Sequence, residues 1–307
     1  MTDFVHLHVH SDFSLQDAAV SVMSLADKAE QLGMKRLALT DHGNMFGAME
    51  FLAACEETVN SKGQHEKREN PVEPIIGCEV YVSPGSRFEK KGSESDNKYY
   101  HLILLASNRK GYLNLVKLCS FAYTEGFYYR PRVDEELLRE YREGLIALSA
   151  CASGEIPRLI QAGRLEDAEA KARQYRDLFG KDEKGNPNFY LEIQDHGIPA
   201  GGLRGSSLSQ RDISKALAEI SGKTGIPLVA TNDVHYLNRE DAAAHDVLLC
   251  IGTGKLRAEE KRKKYYGEQF YFKTGDEMAA LFPEYPEAIA NTVRIAGRCV
   301  CDVPRVN

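Results

Sequence analysis

The stretch HLHVHSDFSLQD, residues 6–17, decides how this chain reads. His6, His8 and His10 alternate with Leu7 and Val9, and Asp12 and Asp17 follow. Side chains two apart share one face of a strand. The spacing therefore predicts a strand over residues 4–9, with imidazoles on one face and Val5, Leu7 and Val9 on the other. Stacked neutral rings in a core stabilise little unless something ties them together.

Outward from that stretch, short apolar runs recur: RLALT (36–40), IIGCEVYV (75–82), HLILLA (101–106), LIALS (145–149), FYLEIQ (189–194) and PLVAT (227–231). Helical patterns such as residues 22–33 and 208–225 lie between them, with Gly33 and Gly225 where helix C-caps belong. Seven strands with intervening helices predict an α/β fold, a barrel rather than an open sheet. No glycine-rich phosphate loop follows the first strand, which argues against dinucleotide-binding and P-loop folds. Two polar stretches, 60–70 and 83–98, read as mobile surface loops, with His65 simply in solvent.

The chain has 307 residues, 43% hydrophobic and 27% charged, as expected of a globular protein. A net charge of -6 excludes a generally basic nucleic-acid binder, so any such contact needs a local patch. There is no signal-peptide pattern and no apolar run of membrane-spanning length. The seven scattered cysteines, Cys55, Cys78, Cys119, Cys151, Cys250, Cys299 and Cys301, lack any CxxC pair. They fit reduced thiols in a cytoplasmic protein. After residue 254 the texture changes to a basic run (255–264) and a helical pattern from Asp276 to Cys299. The ending CDVPRVN lacks a domain-like finish, so residues 255–307 are expected to lead from a barrel, 1–254, into a further domain.

Barrels of this class place their chemistry at the C-terminal ends of strands. Those ends carry His8 and His10, Asp17, Asp41 and His42, Glu79, Cys151, Asp195 and His196, and Asp233 and His235. His101 lies near the start of its strand and fits the rule least well. Imidazole, carboxylate and thiolate suit Zn²⁺, Mn²⁺ or Fe²⁺. One ion cannot use so many donors, whereas two or three ions sharing carboxylates can. Such a cluster generates hydroxide at neutral pH and grips phosphate oxygens, the equipment of phosphoester hydrolysis. The bland alternatives are helix caps for Asp17 and Asp41, a core thiol for Cys151, and an Asx-turn with a surface ring for Asp195 and His196. His6 and His245 read as structural.

The segments FVHLHVHSDFSLQD, ALTDHGNMFGAMEF, IIGCEVYV, HLILLASNRKGYLNLVKL, ALSACASGEIP, YLEIQDHG and LVATNDVHYL resemble the PHP (polymerase and histidinol phosphatase) family. GFYYRPRVD and the tail FYFKTGDEMAALFPEYPEAIANTVRIAGRC resemble its replicative polymerase branch. The resemblance implies a distorted (β/α)7 barrel with a helical C-terminal extension leading towards a polymerase palm. It implies Zn²⁺ or Mn²⁺, two or three ions, held by His8, His10, Asp17, His42, Glu79, His101, Cys151, Asp233 and His235. Asp17, His42, Asp233 and His235 would be the catalytic group. Ala18 stands where many relatives have Gly, and Asp195 where relatives often have Asn; neither change removes a donor.

Members with the full donor set resemble 3'-to-5' exonucleases, which implies DNA at a primer 3' end as substrate. The polymerase branch implies the rest of a polymerase chain, a sliding clamp and other replisome subunits as partners. A metal-stabilised scaffold without catalysis and a stand-alone phosphatase are the competing readings. For the nucleic acid, Arg130 and Arg132 beside Tyr128 and Tyr129 offer phosphate forks next to stacking rings. The alternative is that both arginines pair with Asp134 and Glu135, and Lys261 to Lys264 is the next basic candidate.

Overall fold

Alternating inward and outward apolar residues wind the chain around one curled sheet. The computed structural model describes residues 2–60, 62–91, 99–203, 206–300 and 303. Its strands are β1 Arg36–Leu39, β2 Glu57–Val59, β3 His65–Lys67, β4 Glu73–Val82, β5 Tyr100–Ala106, β6 Arg132–Val133, β7 Leu145–Leu148, β8 Phe189–Ile193 and β9 Leu228–Ala230. The helices are α1 Val22–Gln31, α2 Ala48–Glu56, α3 Arg109–Thr124, α4 Glu135–Tyr141, α5 Glu155–Gln161, α6 Leu165–Phe179, α7 Gln210–Thr224, α8 Ala242–Thr253, α9 Gly275–Leu281 and α10 Pro286–Ala296. The main sheet has seven strands in the order β1-β4-β5-β7-β8-β9, with β6 paired to β4.

Strand parity sorts the core into two layers. Ala38, Ile75, Ile103, Leu105, Ile146, Leu148, Tyr190 and Val229 point inward and form one buried cluster with Val5 and Leu7. The residues between them, such as Leu37, Ile76, Leu104, Ala147 and Leu191, join a larger cluster beneath the helices. Burying a Leu or Ile on either side contributes about 1.5–3 kcal/mol. Ile295, Ala296 and Cys299 complete the inner cluster from α10 and the turn after it. Asn291 of α10 donates to the Leu228 carbonyl at 2.7 Å, and Arg298 to the Pro187 carbonyl at 2.6 Å. Those carbonyls precede or begin β8 and β9, so α10 covers the mouth at the strands' N-terminal ends.

The opening residues depart from the regular strand expected over 4–9. They form only an isolated parallel bridge, Val9 to Val234. They nonetheless fill the gap between the two ends of the sheet. The amides of Ala38 and Thr40 donate to the carbonyls of His6 (3.0 Å) and Val9 (2.8 Å), while Val234 exchanges bonds with His8 and His10. Four residues, His6 to Val9, thus face three, Ala38 to Thr40, which is a β-bulge. The extra residue shifts the parity. Val5 and Leu7 face inward below it, His8 and His10 face inward above it, and Val9 joins the outer cluster. His6 is therefore not on the face of His8. It packs between Phe4 and Phe272, and its Nε2 meets the Lys273 carbonyl at 2.8 Å.

β5 runs antiparallel to both β4 and β7, whereas β1–β4, β7–β8 and β8–β9 are parallel. Its first residues therefore lie at the same mouth as the last residues of its neighbours, with His101 opposite Tyr81. That orientation removes the anomaly of a candidate donor at a strand's start.

Gly33 and Gly225 take left-handed φ of 67° and 71° at the ends of α1 and α7, as their positions predict. Ser209 opens α7 with a capping box to Asp212. The helical pattern 276–299 is split into α9 and α10, with Pro283 in the break and Pro286 at the start of α10. The polar stretches are more structured than expected. β2 and β3 form a hairpin, and buried Arg68 behind it bonds Asp27 and Glu30, each at 2.7 Å. In the second stretch, Arg87 ties Glu125, Asp134 and Glu136 together. Residues 92–98 of that stretch, and all of CDVPRVN except Val303, lie outside the described residues, as does Cys301. His65 is exposed. Cys78, Cys119, Cys151 and Cys250 carry no disulfide. Among the described residues no helix is long and apolar enough to cross a membrane.

Candidate metal centre

Above the inner apolar layer the same parity delivers polar groups. Glu79 follows Ile75 and Gly77 on β4, Glu192 follows Tyr190 on β8, and Thr231 and Asp233 follow Val229 after β9. The nine expected donors converge there. His8 Nε2 and His10 Nε2 lie 3.0 Å apart, and each is 3.1 Å from Asp233 Oδ1. Glu79 lies 3.5 Å from His8 and 3.8 Å from His10, touches His42 Nδ1, and meets His101 Nδ1 at 2.7 Å. His42 Nε2 is 3.1 Å from Asp17. Cys151 Sγ stands 3.8 Å from His101 Nδ1 and 4.0 Å from Glu79. His235 Nδ1 is 3.5 Å from Asp233, and its ring lies 4.4 Å from that of His10.

Three overlapping groups have donor atoms close enough to share an ion: His8, His10 and Asp233; His10, His42 and His235; His42, Glu79 and His101. Within these groups, both His42 nitrogens, Glu79 Oε2 and Asp233 Oδ1 are buried without a directed hydrogen bond. Buried polar atoms that touch yet do not bond are costly. A cation between them would satisfy them. Two imidazole nitrogens about 3 Å apart also suit one tetrahedral ion with N ligands at about 2.0–2.1 Å.

Electrostatics agrees with a site built for positive charge. Burial pushes the His42 ring down, but Glu79 and Asp17 outweigh it and hold its pKa at about 10. Burial alone would raise the Glu79 and Asp233 carboxyls. The histidines around them, His101 and His42 for Glu79 and His8 and His235 for Asp233, hold them well below the usual carboxylate range. Burial, with Asp233 and Glu79 nearby, pushes the Cys151 thiol up, so it needs a metal to become a thiolate ligand.

Backbone strain collects at the same mouth. Among the described residues, four other than glycine have left-handed φ: Gln16, Tyr129, Ala150 and Asp233. Asp233 is itself an expected donor, and Gln16 and Ala150 immediately precede Asp17 and Cys151. Such conformations cost about 1–3 kcal/mol each and persist where surrounding structure imposes them.

The profile of the PHP domain matches residues 6–196. The chain belongs to the PHP domain family. Along nearly its whole length it is also similar to proteins named DNA polymerase III subunit alpha. Identity is 48% with that of Treponema pallidum and 46% with that of Borreliella burgdorferi, over 98% and 96% of this chain and 24% of each relative. The Thermus aquaticus protein is 42% identical over 98% of this chain and 23% of its own length. The chain thus spans about a quarter of the length of these relatives.

Several residues of this PHP centre escape a reading of strand ends. The Glu192 carboxylate accepts from His8 Nδ1 at 2.7 Å, from the Thr231 hydroxyl at 2.5 Å and from the Gln194 amide nitrogen at 2.8 Å. Its signal was present as an acid in the middle of an apolar strand, FYLEIQ. Tyr265 OH meets His235 Nε2 at 2.8 Å, and Lys263 Nζ meets Asp17 at 2.7 Å. Lys263 falls within the Lys261 to Lys264 run read as a basic candidate, but nothing there assigns it to Asp17, and nothing in the sequence singles out Tyr265. Ser14 bonds His10 Nδ1 at 3.1 Å and Asp41 at 2.7 Å. Asp41 is neither helix cap nor donor to the cluster; it braces the 11–14 turn through Ser11 and Ser14. Asp195 makes the expected Asx-turn to Gly197 and pairs with Arg211. His196 is buried rather than superficial, stacked on Phe270 at 3.8 Å. His245 Nε2 holds the Asp17 carbonyl at 2.6 Å.

The two arginines of the YYRPR segment part company. Arg130 lines the cleft beside His42 and lies over the Tyr81 ring at 5.9 Å. Arg132 does not reach the cleft. It is buried, and its guanidinium serves the carbonyls of Gly126, Arg87 and Glu89, each at 3.0 Å. The suggested pairing with Asp134 and Glu135 also gives way, because Asp134 is taken by Arg87 and Glu135 by Arg139.

Proposed function

We propose that this PHP domain is a metal-dependent phosphodiesterase, a 3'-to-5' exonuclease within a bacterial replicative DNA polymerase alpha subunit. The observation that carries the reading is the set of three overlapping donor groups whose buried acceptors lack directed partners. His8, His10, Asp17, His42, Glu79, His101, Cys151, Asp233 and His235 would hold two or three ions of Zn²⁺ or Mn²⁺. Bound there, the metals would supply hydroxide at neutral pH and a grip on phosphate oxygens. Glu192 and Ser14 orient His8 and His10, and the Asp233 carbonyl holds His235 Nδ1. Asp17 and His42, on the cleft wall, are the donors nearest an incoming phosphate, and with Asp233 and His235 they form the proposed catalytic group. Arg130 and Lys263 oppose phosphate charge at the rim.

On this reading residues 1–254 supply the barrel and its donors, and 255–307 lead towards the polymerase core. DNA at a primer 3' end and the rest of the polymerase chain are the proposed partners. The test is metal analysis of the purified chain joined to digestion of primed DNA. Two or more ions per chain and stepwise loss of the primer 3' end support the proposal; one ion at most after reloading overturns it. Full metal content without hydrolysis favours a scaffold, a reading supported by donors that staple segments from His8 to His235.

A further inference from the structure

Beside the donors lies a cleft of about 290 Å³ with an unusual wall. Phe46, Tyr123, Phe127 and Tyr129 line it and remain 60, 40, 48 and 44% exposed. Three of them form a continuous patch: the Phe46 and Tyr123 rings are 6.0 Å apart, and Tyr123 and Phe127 stack at 6.1 Å and 25°. Large rings left in water in one cluster mark a binding surface. Asp17 and His42 form the cleft's inner side, and Arg130 and Lys263 its cationic edges.

We infer that this cleft is a pocket for one unpaired nucleotide at the end of a single strand. Aromatic faces stack on bases of any identity, and Arg and Lys meet the phosphate. The volume lies at the lower end of small-molecule sites, enough for about one nucleotide and too little for a base pair. A terminal base seated on the wall places its phosphate towards Asp17 and His42. A paired end must fray before it enters, so the pocket selects mispaired or single-stranded termini. The inference rests on the hydrolytic reading for its biological use, but binding is measurable without hydrolysis.

The test uses a 5'-labelled octathymidylate whose last linkage is a phosphorothioate, which keeps the charge and resists cleavage, and the same octamer lacking its 3'-terminal base. Fluorescence anisotropy should show the wild-type chain preferring the base-bearing probe by about tenfold, the scale of one stacking contact. Phe46→Ala with Phe127→Ala should erase the preference, with an unchanged melting temperature because both rings are exposed. Phe127→Leu alone, which keeps apolar bulk without a ring face, should reduce it severalfold. Equal affinity of wild type for both probes, as when the wall instead seats a polypeptide, overturns the inference; so does a preference that survives the double variant. Digestion of DNA without base preference would remove the pocket and leave the nuclease reading standing. Base preference without digestion would do the reverse.

Discussion

Asp233 has three demands on it: a left-handed backbone at φ 47°, contacts to His8 and His10, and a buried oxygen without a directed bond. Asn tolerates that backbone nearly as well as Asp but lacks the charge. Asp233→Asn should therefore cut hydrolysis by about 10²-fold or more while the fold persists. Near-wild-type digestion by the purified variant would move the chemistry elsewhere. Glu192→Gln probes orientation instead. Removing the carboxylate that aims His8 should weaken metal binding by about 10–100-fold, seen in a metal titration, with less effect once metal is saturating. His196 gives a pH signature. Burial holds its pKa at about 4, below its ordinary value of about 6.5. The unfolded chain takes up this proton first as pH falls, so the contribution is complete above about 6.5 and lost towards 4, at most about 3 kcal/mol. Urea denaturation of His196→Gln should show a shallower loss of stability between pH 6.5 and 4.5 than wild type; an equal slope would refute the assignment. Residue chemistry was largely legible here, because His, Asp and Glu in apolar strands have few other uses. Arg132 was not: whether a guanidinium meets solvent or three carbonyls depends on a loop whose path no local pattern encodes.

At the scale of elements, apolar runs marked six of the sheet's strands, but not their directions. Both β5 neighbours are antiparallel, and the one clue was that no helical pattern separates β4 from β5, as a parallel crossover normally requires. The bulge at residues 6–9 was equally hidden, since alternation reads the same with or without an inserted residue. The segment after α8 carries its own prediction. Lys263 occupies Asp17 and Tyr265 occupies His235, two groups a metal would use. Lys263→Met should therefore tighten binding of the ion that uses Asp17 by severalfold in calorimetric titration. Unchanged affinity would mean that the lysine moves aside at no cost.

For the whole molecule, the donors join segments far apart in sequence, from His8 to His235, so metal and fold should be thermodynamically linked. Free metal at about a thousandfold above Kd adds about 4 kcal/mol, provided the unfolded chain does not compete. Chelation should lower the melting temperature by about 5–15 °C at the usual scaling. A melting curve indifferent to chelator would contradict the linkage. The bridge from Val9 to Val234 also sets a clock. A ribosome makes His8 roughly 225 residues before Asp233. At roughly 5–20 residues per second, that is about 10–45 s during which the first histidines exist without their last partners. The nascent chain must spend that interval with two imidazoles open to any passing ion, and only the arrival of the final segment turns them into one address.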